Sequence, residues 1–131
     1  MSKNQSAVLI AEDNAEIAKL IKLYLEGEGY KTVWAEDGAV GLAAARNEAF
    51  SAVLVDIMMP KMNGYKATQA IRNLSDKDKA SIPIVAMTAN AFEEDKRDAI
   101  AAGMNGHIAK PIQVDKLLSI LSEVIRQQEN C

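Results

Sequence analysis

Short apolar runs that each finish on a polar or charged residue most constrain the fold of this chain. Ala7 to Ala11 (AVLIA) is apolar throughout rather than alternating, the pattern of a strand buried on both faces. Lys31 to Ala35 (KTVWA) is rich in β-branched and aromatic residues and reads as a second strand. Ala52 to Val55 (AVLV) is a third, running straight into Asp56. Ile84 to Thr88 (IVAMT), opened by Pro83, is a fourth, and His107 to Lys110 (HIAK) is a short fifth.

Helical segments separate these runs. Asp13 and Asn14 offer N-caps, and Ile17, Leu20, Ile21, Tyr24 and Leu25 recur at helical spacing until Gly27 and Gly29 end the helix. Asp37 and Gly38 turn the chain into an alanine-rich helix over Val40 to Asn47. Pro60 and Asn63-Gly64 mark a loop. A helix follows from Tyr65 to Leu74 with Ala67, Ala70, Ile71 and Leu74 as its buried stripe. Ser75 to Ser81 reads as a charged, solvated connection. Glu93 to Ala102 is a helix with acids in its first turn, and Gly103 and Gly106 bracket a turn. A last helix begins at Gln113 or Asp115 and buries Leu117, Leu118, Leu121, Val124 and Ile125. Strand and helix alternating in this way predict an α/β fold, a parallel sheet covered on both faces and joined by right-handed crossovers.

A chain of 131 residues suits one domain, with a core over about 7–126 and tails at 1–6 and 127–131. A net charge of -3 and the lack of a basic run argue against nucleic acid or a membrane surface as partner. The single cysteine, Cys131, forms no internal disulfide and reads as incidental, so a cytoplasmic setting is expected.

Ligands of open parallel sheets bind beyond the carboxyl ends of the strands. There the first strand delivers Glu12 and Asp13, the third Asp56, the fourth Thr88 and the fifth Lys110. Converging carboxylates repel each other, and a hard divalent cation relieves the conflict. Mg²⁺ prefers oxygen ligands, keeps several waters and takes few carboxylates. Asp56 is then a carboxylate nucleophile suited to forming an aspartyl-phosphate. Mg²⁺, the Lys110 ammonium and the Thr88 hydroxyl are each matched to one phosphoryl oxygen.

The segments VLIAEDN, LVDIMMPKMNGY, PIVAMTANA and GMNGHIAKPI, in this order and spacing, resemble response-regulator receiver domains from about Ala7 to Ile125. The resemblance implies a doubly wound, flavodoxin-like (βα)5 fold with strand order 2-1-3-4-5; a receiver is itself one of the known examples of that order. It implies Asp56 as phospho-acceptor, Asp13 as a direct Mg²⁺ ligand, Glu12 as a ligand through water, and Met58 as donor of a backbone carbonyl to the metal. Thr88 is implied as the switch hydroxyl and Lys110 as the phosphate-binding lysine, followed by a cis bond to Pro111. His107 occupies the switch position where the family usually carries Tyr or Phe. GHIAKP is nearest to receivers of hybrid histidine kinases. The implied partners are a sensor histidine kinase or histidine phosphotransfer protein. A partner or a second copy would read the face made by the helix over Glu93 to Ala102, the fifth strand at His107 and the helix over Gln113 to Gln127.

Blander readings compete. Met58 and Met59 read as packing residues, Trp34 as a packing residue on an outer strand, and Asp76 to Lys79 as a solvated loop. The side chains of Met58 and Asn90 are expected to bear on phosphoryl lifetime. A phosphatase working through an aspartyl-phosphate would carry a second acid two residues after the nucleophile, where this chain has Met58. A degenerate receiver that only binds partners fits poorly with the complete acid, hydroxyl and lysine set. No P-loop or GxGxxG occurs. No output domain is evident, so any effect is expected to pass through a partner, a dimer or a neighbouring domain.

Overall fold

The apolar runs form five parallel strands in one sheet, in the order β2-β1-β3-β4-β5. The structure is a computed structural model that describes residues 7–59, 62–89 and 93–129. The strands are β1 (Ala7–Ala11), β2 (Lys31–Ala35), β3 (Ala52–Asp56), β4 (Ile84–Thr88) and β5 (Gly106–Ala109). The helices among the described residues are α1 (Ala15–Gly27), α2 (Gly38–Asn47), α3 (Gly64–Arg72), α4 (Lys77–Ala80), α5 (Glu93–Ala102) and α6 (Val114–Glu129). Pro60, Asn90, Cys131 and the expected tail at 1–6 lie outside the described residues.

Side chains of a strand alternate between faces, so one continuous apolar run feeds two cores. Val8, Ile10, Leu54, Val85 and Met87 face α1 and α6, meeting Ile21, Leu25, Leu117 and Leu121. Leu9, Val53, Val55, Ile84 and Ala86 face the other way, onto Ala45 of α2, Ile71 of α3 and Ala99 of α5. β3 and β4 are buried along their whole length, which explains why neither shows polar alternation.

Several boundaries differ from the sequence reading, each for a local reason. Asn14, not Asp13, caps α1, its side chain accepting from the N–H groups of Glu16 and Ile17. Helix α1 runs through Gly27, and the left-handed residue that follows it is Gly29, at φ 94. Leu20, expected on the buried stripe of α1, is 43% exposed because Ala18, Ile21 and Leu25 already fill the face toward the sheet. Asp37 accepts from Val40 N–H, so α2 starts at Gly38 rather than Val40. The charged connection contains the single-turn α4, capped by Asp76, whose side chain accepts from Asp78 and Lys79 N–H; it buries no residue. β5 starts at Gly106, paired with Val85, and Lys110 follows its last residue. The expected tail from 127 is helical as far as Glu129.

Candidate functional site

Strand order decides which acids meet. β1 and β3 are neighbours, with Ala11 opposite Val55, so the next residues along each strand, Glu12 and Asp56, emerge side by side. Carboxylate oxygens of Glu12, Asp13 and Asp56 all lie within 4.8 Å of one another. Glu12 and Asp56 are buried and Asp13 is exposed, so the cluster has a closed floor and an open side.

β5 brings in the counter-charge. Lys110 N–H donates to Thr88 O at 2.7 Å, continuing the ladder past the strand, and the Lys110-Pro111 bond is cis, as the family resemblance implied. Lys110 Nζ then reaches back over β4 to donate to Asp56 Oδ2 at 3.1 Å and to stand 2.9 Å from Glu12 Oε1. Met58 N–H donates to Asp56 Oδ1 at 3.1 Å, so both Asp56 oxygens are held. Asn14 N–H donates to Glu12 Oε2 at 3.1 Å. Glu12 Oε1 is buried and, among the described residues, has no hydrogen-bond partner; the Lys110 ammonium pairs with it as an ion at 2.9 Å.

The electrostatics follow from this crowding. Burial pushes the Glu12 carboxyl up to about 7, opposed by Lys110 and reinforced by the neighbouring Asp56. Burial pulls Lys110 down, but its close contacts with Glu12 and Asp56 and their charge outweigh that and raise it. An ammonium is thus shared between two acids. Three carboxylates, one with a buried oxygen that lacks a hydrogen bond among the described residues, make a donor set suited to a hard, oxygen-preferring cation.

Two glycines hold the rim. A Cβ on Gly64 would lie 2.7 Å from Asp56 O and 2.9 Å from Ile57 Cα, so the start of α3 can press against the end of β3. Gly64 N–H donates to Ile57 O at 3.1 Å. A Cβ on Gly38 would lie 2.1 Å from Met62 O, so the start of α2 abuts the same loop. The sequence showed these glycines as turn signals; that Gly64 packs against Asp56 and Gly38 against Met62 depends on crossovers that local pattern does not record.

The remaining expected residues fall around this centre. Thr88 is buried at the end of β4, opposite Ala109. The Met58 backbone adjoins Asp56, but its side chain is 74% exposed and is not the packing residue expected, whereas Met59 is buried. His107 stands apart from the acids. It lines an open surface groove of about 230 Å³ with Ile108, Ala109, Lys116 and Ile120, between β5 and α6. Trp34 is 45% exposed, and its indole N–H donates to Glu12 O at 2.7 Å, a bond that no sequence pattern signalled.

A doubly wound sheet in this strand order, with acids following β1 and ending β3 that face a lysine after β5, defines a receiver-type fold. The chain belongs to the response regulator receiver domain family, whose family model matches residues 8–122. It is 36% identical over 122 residues to the sensor protein GacS of Pseudomonas syringae pv. syringae, covering 92% of this chain and 14% of that protein. It is 33% identical over 129 residues to the sensor histidine kinase RcsC of Salmonella typhi, covering 96% of this chain and 13% of that protein. The chain thus spans a small part of these relatives. Its fold matches the crystal structure of the receiver domain of a Pseudomonas aeruginosa sensor histidine kinase at a TM-score of 0.84 and 33% identity, covering 92% and 97% of the two chains. That structure holds a magnesium ion coordinated in its active site cleft.

Proposed function

We propose that this chain is the phospho-accepting receiver of a two-component phosphorelay, taking a phosphoryl group from a phosphohistidine onto Asp56. The observation that carries this reading is the contact of Lys110 Nζ with Asp56 Oδ2 at 3.1 Å inside a cluster of three carboxylates. Glu12, Asp13 and Asp56, with the Met58 backbone carbonyl, would hold Mg²⁺, which when bound neutralises oxygen charge on the transferred group. A carboxylate oxygen of Asp56 attacks phosphorus while the bond from phosphorus to the donor imidazole breaks. The Lys110 ammonium, already at the acceptor, meets one phosphoryl oxygen, and the Thr88 hydroxyl meets another. The acceptor gains roughly -1.5 to -2 of charge, by analogy with other phosphorylated residues. That charge draws Lys110 and Thr88 inward and biases β5, where His107 is the switch residue.

The donor is a sensor histidine kinase or histidine phosphotransfer protein. The domain catalyses its own phosphorylation and dephosphorylation and does not turn over a separate substrate. The output surface is the face of α5, β5 and α6, read by a partner or by a second copy. Acetyl phosphate with Mg²⁺ tests the chemistry. The chain should gain the mass of one phosphoryl group, stable in acid and labile in base. Asp56→Asn should abolish the gain, and its persistence in that variant would overturn the assignment.

A further inference from the structure

We propose that Trp34 is a positioning residue for the metal-binding acid pair, its indole N–H fixing the peptide plane that joins Glu12 to Asp13. The inference rests on the metal site proposed above and deepens it.

Trp34 lies opposite Ile10 in the pairing of β2 with β1. Glu12 is two residues beyond Ile10 and on the same face, roughly 7 Å along the strand. An indole laid along the sheet spans that distance, and its Nε1 donates to Glu12 O at 2.7 Å. The accepting carbonyl belongs to the Glu12–Asp13 peptide bond. The amide on the other side of Glu12 is also held from β2, its N–H donating to Ala35 O at 3.0 Å. Both peptide planes flanking Glu12 are therefore tied to the edge strand, one by backbone and one by the Trp34 side chain. A planar peptide has no freedom of its own, so fixing its carbonyl restricts the directions in which the Glu12 and Asp13 side chains leave the chain. Asn14 N–H at Glu12 Oε2 completes the restraint on Glu12 from the α1 side.

Packing alone does not account for this tryptophan. It is 45% exposed and belongs to neither of the buried cores. Its specific contact is polar, short and directed at the peptide between two of the three clustered acids. A site whose ligands are preset binds its cation without first ordering them, so the expected effect of the bond is on metal affinity.

The chain has one tryptophan, so a nitrogen-labelled sample gives a single indole N–H resonance in NMR. That resonance should move as Mg²⁺ is added to the full chain and saturate with the dissociation constant that calorimetry gives. Trp34→Phe keeps an aromatic ring and removes the N–H. Its Mg²⁺ affinity should fall about 5- to 10-fold, the size of one hydrogen bond, while thermal unfolding in chelator shows the variant folded. An indole resonance unmoved at saturating Mg²⁺ would overturn the role of Trp34 without any variant. So would a folded Trp34→Phe chain that binds Mg²⁺ within about twofold of the parent, less than one hydrogen bond is worth. If the parent itself binds no Mg²⁺, the metal site of the proposed function fails, and the role of Trp34 with it. Binding by the parent that the variant matches overturns Trp34 alone.

Discussion

Replacing Arg72 with alanine should destabilise the domain more than any surface substitution, although Arg72 is far from the acids in sequence and in role. At the end of α3 its guanidinium donates four hydrogen bonds. Nε bonds Gly103 O at 2.9 Å, Nη1 bonds Ala80 O at 2.8 Å and Ile82 O at 2.7 Å, and Nη2 bonds Asn105 Oδ1 at 2.8 Å. One planar group thus ties α3 to the ends of α4 and α5 and to the entry of β4. Asn105 extends the tie, its Oδ1 also accepting Ile84 N–H at 2.9 Å and its own N–H donating to Ile84 O at 2.7 Å. Gly103, at φ 102, packs its Cα against the Arg72 stem, where a Cβ would lie 3.1 Å from Cγ. Charge-assisted hydrogen bonds contribute about 1.5–3 kcal/mol each, but bonds that share one group do not add. Water can reach part of this half-buried cluster, so Arg72→Ala should cost about 3–4 kcal/mol. For a domain of this length that lowers Tm by about 10–15 °C in circular-dichroism melts. Arg72→Lys keeps the charge but offers one ammonium for four separated acceptors, and should recover less than about half of the loss. A cost below about 1 kcal/mol for Arg72→Ala, or full recovery with lysine, would refute the view that the fork geometry holds these elements together.

The raised Glu12 carboxyl predicts a pH dependence in chelator. Its folded value of about 7 lies above the ordinary 4.5, so its contribution is fully present below about pH 4.5 and is lost as pH rises through 7. Urea unfolding at several pH values should therefore show stability falling across that window by at most about 3 kcal/mol. Saturating Mg²⁺ should flatten the fall, and a rise in chelator would contradict the burial argument. Gly64→Ala should cost about 1–3 kcal/mol, because its Cβ would press on Asp56 O and Ile57 Cα. It should also slow phosphorylation by acetyl phosphate, and a variant as stable and as fast as the parent would show that the start of α3 can retreat freely.

Periodicity and strand-end chemistry were enough to read the parallel α/β architecture, the two-sided burial of β1, and Glu12, Asp13, Asp56, Thr88 and Lys110 as the residues at one edge. They sufficed because a continuous apolar run states its own burial, and the residue that ends it states what the edge displays. The pattern does not record which side chain reaches which atom across the sheet. Nor does it record that Glu12 is buried against the Lys110 ammonium while Asp13 beside it is open to solvent. Lys110 meets Asp56 at a sequence separation of 54, Arg72 reaches Asn105 at a separation of 33, and Trp34 reaches Glu12 at a separation of 22. The crossovers set those pairings, and no local window contains both partners. The five strand-end residues were therefore legible along the chain, while the bonds that aim them were decided only when the sheet closed in its 2-1-3-4-5 order.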